Sequence, residues 1–74
     1  HGDGAAELRT AMPGKVVRLL CELGAEVKKG DGVIVVEAMK MQNELKAPKD
    51  GIVKEIKVAE GTTVSAGDLL VVID

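Results

Sequence analysis

The chain repeats itself. Shifted by 37 residues, positions 14–37 lie over positions 51–74 without a gap. Gly14 meets Gly51, Val16 meets Val53, Gly24 meets Gly61, Val27 meets Val64, Gly30-Asp31 meets Gly67-Asp68, and Val35 meets Val72. Other pairs keep their character: Leu19 with Ile56, Cys21 with Val58, Val33 with Leu70, Ile34 with Val71, Val36 with Ile73, and Glu37 with Asp74. Upstream, Pro13-Gly14 aligns with Pro48-Lys49-Asp50-Gly51 if the second copy carries two extra residues. Neither unit is large enough to bury an apolar face alone, so two similar units must share one core. That requirement predicts two-fold pseudo-symmetry.

The shared residues also set the kind of element. The shared glycines stand where turns are needed, and Asp beside Gly stabilises a turn through its own backbone. Apolar positions fill the short stretches between them, which leaves no room for a helix of ordinary length. With no Phe, Tyr or Trp, the core must be aliphatic, and eleven Val, seven Leu and four Ile supply it. Branched side chains suit a pleated surface. The reading is eight strands near 6–10, 15–21, 25–28, 33–37, 41–46, 52–58, 62–65 and 69–73. The expected fold class is all-β: a flattened barrel or sandwich of two four-stranded antiparallel sheets. Residues 1–5 read as a mobile terminal segment or remnant, the end of a linker, and residues 6–74 as one domain.

Charge and composition narrow the function. A net charge of −2 gives no basic field for nucleic acid, and missing aromatics remove stacking platforms for single strands. No apolar run reaches the ~20 residues of a membrane span. Cys21 is the single cysteine, which excludes an internal disulfide, fits a reducing compartment and reads as a small buried hydrophobe. No His, Cys or carboxylate spacing suggests a metal site.

The unusual residues lie at the joint between the copies. Val33–Glu37 and Met41–Lys46 read as paired strands, with a tight turn at Met39-Lys40 between them. Two-residue hairpin turns favour Gly, Asn or Asp because they need positive φ. This chain uses glycine freely elsewhere, yet places Met-Lys-Met here. A local rule broken at an exposed site points to function. The geometry also lifts Lys40 away from anything joined at the chain ends. Lys40 is therefore the candidate for chemical modification by another protein.

These residues resemble a known family. Glu37-Ala38-Met39-Lys40-Met41 is similar to the biotinyl attachment motif of biotin carboxyl carrier domains. Met12-Pro13-Gly14, Val27-Lys28-Lys29-Gly30-Asp31, Asn43-Glu44-Leu45-Lys46-Ala47-Pro48 and Gly61-Thr62-Thr63-Val64 resemble the same family. The resemblance runs from about Leu8 to Asp74. Some relatives carry a protruding thumb in the first half. The gapless repeat leaves no space for one, so a thumbless domain is expected.

The resemblance implies the following. Lys40 is biotinylated by a biotin protein ligase, which must supply deprotonation and alignment because a solvated lysine is mostly protonated at neutral pH. Glu37, Ala38, Met39 and Met41 form the surface that the ligase and later partners read. Covalent biotin then shuttles carboxyl groups between biotin carboxylase and carboxyltransferase sites, and the domain itself is a non-catalytic carrier. The expected location is the cytoplasm or, in a eukaryote, the mitochondrial matrix. Lipoyl domains share the fold but usually place Asp-Lys-Ala at the turn. A lipoyl carrier, or an unmodified interaction domain of the same fold, is the alternative.

Overall fold

A computed structural model describes residues 5–74, so the expected terminal segment lies outside the described residues except for Ala5. All regular structure among them is β. The strands are β1 (Ala6–Arg9), β2 (Gly14–Leu19), β3 (Glu26–Val27), β4 (Gly32–Ala38), β5 (Met41–Lys46), β6 (Gly51–Ile56), β7 (Thr63–Val64) and β8 (Leu69–Ile73). They form two four-stranded antiparallel sheets, ordered β1-β8-β6-β3 and β5-β4-β2-β7. The eight expected strands are all present, two with the expected ends and the others with ends moved by at most two residues.

The repeat is carried down to single hydrogen bonds. Val16 pairs with Val36 and Leu19 with Ile34, and 37 residues on Val53 pairs with Ile73 and Ile56 with Val71. Both ladders slip at the same place, between Val16 and Arg18 and between Val53 and Glu55. Gly24 N donates to Val53 O at 2.8 Å, and Gly61 N donates to Val16 O at 2.7 Å. Gly30 and Gly67 hold φ of 93° and 87°, a region where a Cβ would be strained. The following aspartates, Asp31 and Asp68, accept from Lys28 N at 2.9 Å and Ser65 N at 2.8 Å.

One expectation is corrected. No two-residue insertion separates the copies upstream of Gly14. Leu8 pairs with Val71 and Leu45 with Ile34, so the 37-residue shift continues through β1 and β5. Thr10 and Ala47 make matching bonds: Gly67 N donates to Thr10 O at 2.8 Å, and Gly30 N to Ala47 O at 2.9 Å. The two prolines are therefore not equivalent. Inward-facing alternation fixes the register, and it overrides a residue-type match in a loop.

The halves also interlock rather than pack as separate units. Each sheet takes two strands from each copy: β1 and β3 lie with β6 and β8, while β5 and β7 lie with β2 and β4. The core is aliphatic and symmetric, pairing Val16 with Val53, Val33 with Leu70, Ile34 with Val71 and Val36 with Ile73. Cys21, half-buried, packs against it, and burial pushes its thiol up. The loop 20–25 matches the loop 57–62 in length, with no thumb.

Candidate modification site

The hairpin at the joint is built as a two-residue turn. Ala38 pairs with Met41, the last rung of β4 and β5. Met39 and Lys40 between them have φ of 53° and 67°. Positive φ at both central residues is the signature of a type I′ turn, whose twist matches that of the flanking strands. Neither residue is suited to it. A left-handed conformation costs a non-glycine residue about 1–2 kcal/mol, because Cβ crowds the following carbonyl. The rest of the hairpin sustains that strain, and strain of this kind gathers at functional sites.

The base of the turn is held from inside. Ala38 is 6% exposed, so its methyl group anchors the tip and is not part of the surface. Asn43 Nδ2 donates long hydrogen bonds to Val36 O at 3.4 Å and Met41 O at 3.3 Å, linking the two strands below the turn. In the sequence Asn43 stands within a motif, and nothing in the pattern tells its amide apart from a solvated one. Beneath the hairpin, Thr10, Met12, Val36, Ala38, Asn43 and Leu45 line an apolar cavity of about 150 Å³.

The remaining motif residues are outside. Met39 is 80% exposed and Met41 64% exposed. Leaving two large apolar side chains in water brings no folding benefit. Glu37 is exposed and shares its rungs with Lys15 and Gln42. Lys40 is exposed, and its amine has no hydrogen bond or ion pair among the described residues. This suits a covalent acyl group, which needs an unengaged primary amine and space around it. Among the described residues, no cluster of three or more His, Cys, Asp and Glu is placed to hold a metal ion, and no helix is long and apolar enough to cross a membrane.

The family model described as "Biotin-requiring enzyme" matches residues 6–73. The propionyl-CoA carboxylase alpha chain, mitochondrial, of Homo sapiens is 46% identical over 69 residues, 93% of this chain and 10% of that protein. Pyruvate carboxylase of Bacillus subtilis (strain 168) is 39% identical over 69 residues, 93% of this chain and 6% of that protein. The crystal structure of the Kluyveromyces lactis urea carboxylase superposes with a TM-score of 0.90 at 38% identity, covering all of this chain and 6% of that one. The chain thus spans a tenth or less of the length of these relatives. With the family match running from β1 to β8, the chain belongs to the biotin-requiring enzymes, as one of their biotin carboxyl carrier domains.

Proposed function

We propose that residues 6–74 are the carrier domain and that Lys40 is its biotin attachment residue. One observation carries the assignment: an amine without partners among the described residues stands at a strained type I′ turn between two exposed methionines. A biotin protein ligase binds the tip through Met39 and Met41. The neutral ε-amine of Lys40 attacks the activated carboxyl carbon of biotin, forms an amide, loses a proton and releases the activating group. When attached, biotin supplies a ureido nitrogen that takes up and gives up a carboxyl group.

The domain supplies no acid, base or metal for that transfer. Its own residues do two things. The anchored base at Ala38 and Asn43 keeps the arm's origin fixed. The body links the arm to a biotin carboxylase and a carboxyltransferase, at the roughly millimolar effective concentration that a short linker gives. The carboxylase relatives support both partners, and the mitochondrial one supports a matrix setting. The turn motif disfavours lipoylation.

Co-expression with an active biotin ligase tests this directly. The expected result is one biotinyl mass on the peptide containing Lys40. In Lys40→Arg, which keeps the charge but not the acylable amine, the expected result is none. Normal labelling of the Arg variant, or a lipoyl mass in its place, would sink the assignment.

A further inference from the structure

Residues 37 apart occupy equivalent places, so each half is a control for the other. The outer faces of the two sheets fail that comparison. On β2 and the turn after it, Val17, Arg18 and Leu20 stand where the other half has Lys54, Glu55 and Lys57. Leu20 is 41% exposed, and Val17 is half-buried. Leu23, farther along the same turn, is 66% exposed where the other half has Glu60.

The two faces also treat their charges differently. On one face, Val72 sits on its rung between Glu7 and Glu55 and is only 8% exposed. Those carboxylates are engaged, Glu7 with Arg9 at 2.9 Å and Glu55 with Lys57 at 2.9 Å. On the other face, Val35 sits on the equivalent rung between Arg18 and Glu44 and is only half-buried. Neither Arg18 nor Glu44 is paired among the described residues. Val17, Arg18, Leu20, Val35, Gln42 and Glu44 line a groove of about 250 Å³. It ends at Gln42, one rung from the Ala38–Met41 pair that closes the turn.

We propose that this groove is the docking face by which the carrier seats on another domain of its carboxylase, an inference that rests on the carrier reading above. The partner surface presents aliphatic side chains to Val17, Leu20 and Val35, an acid to Arg18 and a base to Glu44. The position selects this occupant over the ligase. A ligase must enclose the bare amine and so reads the tip. A loaded arm is long, so a domain held by its flank still delivers the arm to a neighbouring site. The strength agrees: three part-exposed aliphatic side chains and two open charges give weak docking, which is useful at a tethered, millimolar effective concentration and still allows the carrier to leave.

The test grafts one half onto the other. Val17→Lys, Arg18→Glu and Leu20→Lys together write the residues of the second half onto the first, where the same backbone already accepts them. In the intact carboxylase, full biotin content by mass is expected, with acceptor-dependent carboxylation reduced at least tenfold. Carboxylation of added free biotin should be unchanged. Arg18→Glu alone should lose severalfold, and the reverse graft Lys54→Val with Lys57→Leu should lose nothing. Unchanged turnover in the triple variant would overturn the proposal. So would biotin content falling in step with turnover, since the ligase would then be the reader. Equal loss in the reverse graft would overturn it as well. A wild-type carboxylase with no adduct on Lys40 would refute the carrier reading itself, and the docking inference with it.

Discussion

Lys40 and Met39 share one backbone problem, and its solution separates their roles. Both occupy left-handed backbone at the turn, where Asn would be at ease. Met39→Asn is expected to stabilise the domain by about 0.5–1 kcal/mol, or roughly 4–8 °C per kcal/mol in melting temperature for a domain of this size. The same change removes an 80%-exposed apolar contact, so the efficiency of biotinylation should fall as stability rises. Thermal melts and ligase kinetics on one preparation check both; a variant that is neither more stable nor a poorer substrate would show the turn to be unstrained and Met39 unread. Cys21 gives a separate test. Its half-buried thiol is pushed up by burial, so the thiolate is scarcer than in an open cysteine at the same pH. Reaction with a thiol reagent near pH 8 should be slower in the folded chain than in denaturant, with the gap narrowing as pH rises. Equal rates at pH 8 would count against the packed position. At this scale the sequence singles out the lysine as the candidate, because Met-Lys-Met stands where Gly or Asn is expected. It could not announce Ala38 as an anchor, since a small residue beside a turn reads equally well as surface or floor.

Among the elements, the strands after the two glycines Gly14 and Gly51 show how the hairpin is positioned. A Cβ on Gly14 would meet the Glu37 carbonyl oxygen, and would lie 2.9 Å from Val36 Cγ1. A Cβ on Gly51 would meet the Asp74 carbonyl oxygen, and would lie 2.9 Å from Ile73 Cγ2. Both glycines are present because β2 and β6 run tight against β4 and β8. Gly14→Ala and Gly51→Ala should each cost about 1–3 kcal/mol through overpacking, measurable by urea unfolding. Their effects on function should differ. Gly14 presses on the end of β4 that leads into the turn, whereas Gly51 presses on the end of β8, which does not lead into it, so only Gly14→Ala should slow biotinylation. Equal slowing in both would mean the loss came from stability alone. The strands themselves were legible from alternation and from turn glycines. The paired bulges beside Val17 and Lys54 were not, because an extra residue on one strand leaves the composition of the strand unchanged.

For the whole molecule, the repeat proved two copies and a shared core, but not how the strands are distributed. Hydrophobic alternation tells which side of a strand is buried; it does not tell which sheet the strand joins. The pairing of β1 with β8 and β3 with β6, and of β5 with β4 and β7 with β2, places two strands of each copy in a sheet with two of the other, and this makes each sheet depend on both. The functional consequence is a stiff body. The hairpin cannot loosen without disturbing β4, which is bonded on both sides by β2 and β5. A carrier gains from such a body, since the arm can sweep while its origin stays in place. The interlocking is open to experiment. Residues 1–38 and residues 39–74, prepared as separate peptides, should each lack the far-UV spectrum of a β domain. Each would hold strands whose partners are on the other peptide, and short strands without a shared core are not stable alone. Mixed in equal amounts they should recover much of the native spectrum and a single cooperative melt, with a midpoint that rises with concentration because association is now bimolecular. A cooperative melt from either peptide alone would contradict the exchanged arrangement, and would mean that each copy contains a sheet of its own.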